Sequence, residues 1–258
     1  MPSFAIHAIC GNELIKDFNI SDNAKKSFFI GNIIPDVSRI PSFKDKDYAT
    51  KRKSIQDRKK ITHFRTNKDA VLAYPDLDKF LEKYSGSVKS NITSFAYFFH
   101  LYTDYYYFRK FLPKILTFYD KDMNKINNSE SVYYVKINRT GEVVRYKELF
   151  NKENENGIYK DYSISNNYLI KKYNLDLDYD LLFDYIDQNG FYIEIEETKS
   201  LFAYYAVLKM KKYLKDEIVK DNRLNVFTID DLDSLIGNII KSFKREYGYI
   251  INSYVNQK

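Results

Sequence analysis

The amino-acid sequence predicts a mainly α-helical protein with a small β-hairpin excursion. Three observations carry this. Apolar residues recur at helical spacing along most of the chain, capping residues stand at the heads of those stretches, and one short stretch at about 132–146 has the turn residues and β-branched flanks of a hairpin.

The elements follow in order. Phe4, Ile6, Ile9, Leu14, Ile15 and Phe18 trace a first helix from Phe4 to Phe18, with Ser3 placed to cap it. A second helix starts at Ser21 and runs through Phe28, Phe29 and Ile33. It stops there because Pro35 disfavours helical geometry at Ile34. Asp36 then lies just past a helix C-terminus, where the macrodipole costs a carboxylate roughly 0.3 to 1 kcal/mol unless a cation answers it. Residues 37–60 hold Pro41 and the basic run Lys51, Arg52, Lys53, Arg58, Lys59 and Lys60 without sustained periodicity, and read as an exposed loop or short helix. A helix over about Asp76–Tyr84 has Pro75 at its head and is broken by Ser85-Gly86-Ser87. The next begins near Ser90 and is apolar all round, from Phe95 to Phe108, which marks a buried central helix. On it His100 and Asp104 stand at i, i+4, one above the other.

Beyond Pro113 the character changes. Val132–Ile137 and Glu142–Tyr146 flank Asn138-Arg-Thr-Gly141 as a hairpin, and helices follow at about 161–173, 177–187 and 198–220. A last helix opens on the capping box Thr228-Ile-Asp-Asp231 and runs to about Tyr254. No internal repeat is visible, and no disordered linker exceeds Asn151–Gly157. Residues 1–258 read as a single domain, with a motif-bearing core over 1–115 and a helical remainder over 116–258. At 258 residues and 30.8 kDa, against about 150 residues per domain, the chain is long enough to bury a sizeable core.

Composition narrows the setting. The single Cys10 excludes an internal disulfide and fits a reducing compartment. The N-terminus has no basic leader, and no apolar run approaches the ~20 residues of a membrane span, so a cytoplasmic protein with no transmembrane segment is expected. The net charge of +6 favours anionic partners mildly.

Only three histidines are present, and each sits in a phrase that reads like a metal-ligand phrase: Phe4-Ala-Ile-His7-Ala-Ile-Cys-Gly11, Thr62-His63-Phe64 and Phe99-His100-Leu-Tyr-Thr-Asp104. A fourth phrase, Gly31-Asn-Ile-Ile-Pro35-Asp36, ends in a carboxylate. Imidazole nitrogen and carboxylate oxygen are zinc's ligand types. A lone His/Asp pair on a buried helix serves equally as a hydrogen-bonded core pair. The confinement of every histidine to these phrases favours the metal.

The ordered set His-x-x-x-Gly, Gly-x-x-x-Pro-Asp, Thr-His-Phe and His-x-x-x-Asp followed by aromatics resembles the zinc-dependent phospholipase C family, related to single-strand-specific zinc nucleases, over roughly residues 1–115. The resemblance implies a multi-helix fold in which Asp36, His63, His100 and Asp104 surround one Zn2+ while His7 and Asp104 hold a second, with Asp104 as bridge. It implies hydrolysis of phosphate esters, with Asp36 also a catalytic general base. The substrate would be a phospholipid head group, a nucleotide or a nucleic acid, and no obligate protein partner is inferred.

The chain departs from the family at a third zinc. Trinuclear members supply further histidines downstream, and nothing after His100 is a histidine. Asp120, Asp122, Glu194, Glu196 and Glu197 are oxygen-bearing substitutes that no spacing selects. Pro2 is the one residue positioned to imitate the processed N-terminal ligand of secreted relatives. Cys10 shares a helix face with His7, but a free cysteine reads first as a small buried apolar residue. The basic run can rim the site or be a solvated loop, and Tyr102, Tyr105, Tyr106 and Tyr107 can line a pocket or fill the core. Two alternatives stand beside the phospholipase-like hydrolase: a zinc-dependent single-strand nuclease or phosphatase, and a metal-stabilised, non-catalytic module. A His-Asp nucleotide phosphohydrolase is excluded, because the chain has no His-Asp dipeptide.

Overall fold

A computed structural model describes residues 2–37, 59–65, 74–127, 131–214 and 224–255. Helix α1 (Phe4–Ile15) opens on Ser3, whose Oγ accepts from the Ile6 amide and donates to Asn166 Oδ1, so one hydroxyl both caps the helix and ties its head to a distant element. The helix ends short of the expected Phe18, which is nonetheless buried. Helix α2 (Asp22–Ile33) is capped by Ser21 and gives way at Pro35 to a 3-10 turn, Ile34–Asp36, as the proline requires.

Helix α3 (Leu77–Ser90) begins on Asp76, whose carboxylate accepts from the Lys79 amide. The expected break at Ser85-Gly86-Ser87 is absent. Tyr84 and Val88 on either side are buried on one face, while Gly86 faces open space. That packing outweighs a glycine penalty of about 1 kcal/mol. Helix α4 (Ile92–Tyr106) starts instead at Asn91, whose Oδ1 accepts from the Thr93 and Ser94 amides. It continues through a π turn, Tyr107–Phe111, into the short α5 (Leu112–Ile115).

The β excursion is larger than predicted. Strands β1 (Leu116–Tyr119), β2 (Lys125–Ile126), β3 (Tyr134–Ile137) and β4 (Val143–Arg145) form an antiparallel sheet in the order β2-β1-β3-β4. The predicted hairpin is β3–β4, with Val135 opposite Val144 and the turn closed by Gly141 at φ +78°. Strand β1 pairs with both neighbours and buries Leu116 and Phe118.

Helices α6 (Tyr146–Leu149), α7 (Ile158–Lys172), α8 (Tyr179–Asn189), α9 (Phe202–Leu214) and α10 (Ile229–Val255) follow. The last part of the expected 198–220 helix, 215–220, lies outside the described residues. At the head of α10 the capping box closes both ways: the Thr228 amide donates to Asp231 Oδ2 and the Asp231 amide to Thr228 Oγ1. The described chain is therefore mainly helical with one small antiparallel sheet. No helix of the described residues is long and apolar enough to cross a membrane.

Helix α4 is the axis of the packing, buried from Thr93 through Asp104. Phe243 of α10 meets the rings of Phe95, Phe98, Phe99 and Tyr102 along it. Helix α2 lies against its other side at a distance only glycine permits, since a Cβ on Gly31 would stand 2.6 Å from the Thr93 carbonyl. That close approach brings the end of α2, and Asp36 with it, toward His100 and Asp104.

Candidate metal centre

Four separate elements deliver the five predicted ligands to one place. His7 comes from α1, Asp36 from the turn after α2, His63 from a helical turn at 59–62, and His100 and Asp104 from α4. All are buried, Asp36 at 3% exposure and the other four at 0%. Two groups, His7 with Asp36 and His100, and His63 with His100 and Asp104, have ligand atoms within 4.8 Å of one another and could hold a metal ion. His7 thus approaches Asp36 as well as Asp104, a wider sharing than the resemblance implies.

Each sequence phrase has a local physical job. In Thr62-His63-Phe64, the Thr62 hydroxyl donates to the Pro35 carbonyl at 3.1 Å and lies 2.9 Å from His63 Nδ1. With its single proton committed to Pro35, it accepts from His63 Nδ1–H, which leaves the Nε2 lone pair facing the cluster. Phe64, at φ +49°, packs edge-on against Phe80 and Tyr84 of α3 and holds the phrase down. Tyr97 of α4 donates to the Thr62 carbonyl. Asn32, in the Gly31-to-Asp36 phrase, performs two tasks. Its carbonyl lies 2.7 Å from His100 Nδ1, and its side-chain amide donates to the His7 carbonyl at 2.6 Å. Gly11 makes room for it, since a Cβ there would stand 2.5 Å from Asn32 Nδ2.

A carbonyl can only accept, so His100 also carries its proton on Nδ1 and presents Nε2 as a lone pair. His63 Nε2 and His100 Nε2 face each other at 3.3 Å. Two lone pairs at that distance repel unless a cation sits between them. His63 Nε2 is 3.5 Å from Asp104 Oδ2 and 3.7 Å from Asp36 Oδ1, and His7 Nε2 is 3.5 Å from Asp104 Oδ1. These separations are long for hydrogen bonds. They match the edge of a tetrahedron about 3.3 to 3.6 Å long, which donors 2.0 to 2.2 Å from a zinc ion define. Among the described residues, both oxygens of Asp104 and both ring nitrogens of His7 are buried without a hydrogen-bond partner. Buried polar atoms are normally satisfied. The residues fit a bound cation.

The protonation states agree. Burial pushes His100 well below its ordinary value and also lowers His63. Asp36 and Asp104 stay ionised. Burial opposes their charge, but Lys59 beside Asp36 and the imidazoles around Asp104 hold both carboxyls below the usual range. Neutral imidazole and ionised carboxylate are the metal-binding forms.

The cation that Asp36 needs past its helix end is partly supplied by the chain. Lys59 Nζ lies 2.7 Å from Asp36 Oδ1, and Lys209 of α9 donates to the Asp36 carbonyl at 3.0 Å. Lys59 belongs to the basic run, whose other members up to Arg58 lie outside the described residues. Lys209 and Asn32 carried no sequence signal, since neither residue type stands out and the Lys209 contact spans 173 residues. The other sequence candidates go elsewhere. Glu196 and Glu197 take Lys83, and Glu197 also takes Tyr84; Asp120 closes a turn on Asn124. Cys10 is core, its thiol pushed up by burial. Tyr102 and Tyr107 are buried, bonded to Glu246 and Tyr162. A separate cavity of about 400 Å3 reaches Gly11 and Asn32 but none of the five clustered side chains.

No family model, no curated protein and no solved structure matches the chain.

Proposed function

We propose that the chain is a zinc-dependent hydrolase of phosphate esters, phospholipase C-like in its ligand set, with two zinc ions sharing Asp104. The observation that carries this reading is the facing pair of His63 and His100 lone pairs beside the unpartnered Asp104 carboxylate. Three imidazoles and two carboxylates are nitrogen and oxygen donors of the kind zinc takes, and all five are buried. Zinc held there would supply Lewis acidity toward a phosphoryl oxygen and bring the pKa of water toward ~7.

The chain's own residues would do the rest. Thr62 and Asn32 fix the tautomers of His63 and His100, so that both present Nε2 without rearrangement. Asp36, the least buried of the five, is the carboxylate placed to take a proton from an attacking water. Lys59 holds that carboxyl low and keeps it ionised. A phospholipid head group, a nucleotide and a single-stranded nucleic acid all present the phosphoester this requires. Two measurements test the proposal: elemental analysis, with about two zinc ions per chain expected, and chelator-sensitive hydrolysis of phosphate esters. Metal-free protein with undiminished turnover would overturn it.

A second reading, a metal-stabilised and non-catalytic module, draws on one observation: four of the five side chains have no solvent exposure. A metal there would tie α1 and α4 together. Stoichiometric zinc with no turnover of any phosphoester would select this reading.

A further inference from the structure

We propose that the mouth of the His/Asp cluster selects dianionic phosphoesters over zwitterionic ones, with Lys59 and Lys209 as the groups that meet the substrate. This rests on the hydrolase reading above and adds a substrate class to it.

The route of access is the first step. Among the five clustered side chains only Asp36 has any exposure, so solvent reaches the cluster on its side. Both ammonium groups described around the cluster stand there. Lys59 Nζ is on the Asp36 carboxylate at 2.7 Å, and its side chain is 22% exposed. Lys209 Nζ is on the Asp36 carbonyl at 3.0 Å and lies 4.7 Å from the centre of the Phe4 ring, one turn of α1 before His7. The two lysines come from the turn before His63 and from α9, elements far apart in sequence, and converge on one residue. A substrate entering past Asp36 passes both.

Charge gives the second step. Lys59 and Lys209 set two ammonium groups on the Asp36 side of a cluster that holds two carboxylates, Asp36 and Asp104. Two divalent cations beside two carboxylates would leave a surplus of positive charge, to which the two ammonium groups add. A phosphate monoester dianion answers that surplus. A head group ending in a quaternary ammonium brings its own cation against two lysines, in a site whose low dielectric strengthens the repulsion. Lysine is also suited to the task, as a compact charge on a flexible stem that can leave a carboxylate oxygen for a phosphate oxygen.

The test uses zinc-loaded full-length protein, with K209Q and K209R as the main variants and K59Q beside them. Inorganic phosphate binding is measured by calorimetry at low salt. The ratio of kcat/KM for p-nitrophenyl phosphate to that for p-nitrophenyl phosphorylcholine is measured in parallel. The wild type should prefer the monoester. K209Q should weaken phosphate binding and lower the ratio by about tenfold, the loss expected for one hydrogen bond to a charged group, and K209R should recover most of both. The inference falls if the wild type prefers the phosphorylcholine ester, or if phosphate binds K209Q and K59Q as tightly as wild type. Lysine-dependent phosphate binding without turnover of either ester would sink the hydrolase reading and leave the anion selectivity standing. Ester turnover indifferent to both lysines would do the reverse.

Discussion

Asp104 and Asp161 are both fully buried carboxylates on helices, and the fold treats them in opposite ways. Asp161, on α7, accepts three backbone amides: Asn225 on Oδ1, Val226 and Phe227 on Oδ2, at 2.7 to 2.9 Å. The chain itself satisfies that group, and in return Asp161 ties the segment before α10 to α7. Asp104, on α4, has neither oxygen hydrogen-bonded among the described residues and lies 3.5 Å from the Nε2 atoms of His7 and His63. One region is complete as folded. The other leaves Asp104 without a hydrogen-bond partner among the described residues, a partner that a metal ion could supply. Unanswered buried charge costs far more than answered charge, so polar accounting alone separates an acid that the fold completes from one whose charge the described residues leave open.

The largest effect should come from removing that partner. A metal that binds only the folded state stabilises it by about 4 kcal/mol at a thousandfold excess over Kd. Chelation should therefore lower the urea midpoint of the wild type sharply. Asp104→Asn should lose most of its metal and show almost no response to chelator. The comparison breaks if wild-type stability is indifferent to chelation, because Asp104 would then be an unexplained buried charge.

Asp161 supplies the complementary experiment. Asp161→Ala leaves three buried amides without an acceptor, and hydrogen bonds to a charged group are worth about 1.5 to 3 kcal/mol. A loss of roughly 3 kcal/mol follows, allowing for water entering the space left. Metal content, read by elemental analysis, should stay at the wild-type level. A variant that lost metal along with stability would show that the two regions are one cooperative unit.

Thr62 sharpens the comparison within the site. Thr62→Val keeps the shape but removes the hydroxyl that sets the His63 tautomer. Partners of this kind are worth about 10- to 100-fold in metal affinity. Competition with a chromogenic chelator should register that weakening, and the chelated protein should lose about 1 to 3 kcal/mol, because the buried Pro35 carbonyl and His63 Nδ1–H are left unpaired. Unchanged affinity would mean that His63 orients itself without Thr62.

How much of this the sequence disclosed depends on the range of the interaction. Ser3, Ser21 and the Thr228/Asp231 box cap their helices as read, because a cap depends on residues within one turn. The histidines and aspartates of the four phrases also lie together, though grouped differently from the reading, since chemistry-bearing residues are few enough to stand out. Gly86 misled for the reverse reason: its neighbours Tyr84 and Val88 are buried by tertiary contacts that a local reading cannot see. Strands β1 and β2 were missed because each is stabilised only by pairing, with β3 completing the sheet some fifteen residues beyond β1. The Asp161 anchor, Asn32 and Lys209 are ordinary residues locally. Their roles exist only through partners 25 to 173 residues away.

A third carboxylate gives the smallest effect and marks the far end of the scale. Asp233 on α10 is partly exposed, 2.7 Å from Lys172 Nζ and accepting from the Tyr173 hydroxyl at 2.7 Å. The Lys172 ammonium, and then the Tyr173 hydroxyl, hold its carboxyl below the usual range. A carboxyl lowered in the folded state contributes stability above its unfolded value of about 3.9, and that contribution is lost as pH falls toward the lower folded value. Asp233→Asn should therefore be slightly less stable than wild type at pH 7, by a small fraction of the Asp161→Ala loss, because solvent screens the pair. The gap should close as the pH is taken below 4, and at neutral pH it should shrink in high salt. Urea midpoints of the two proteins across pH and salt measure this. A gap that salt leaves unchanged would mean that Asp233 acts through the half-buried Tyr173 hydrogen bond, and so belongs with Asp161 among the carboxylates that the fold completes from its own chain.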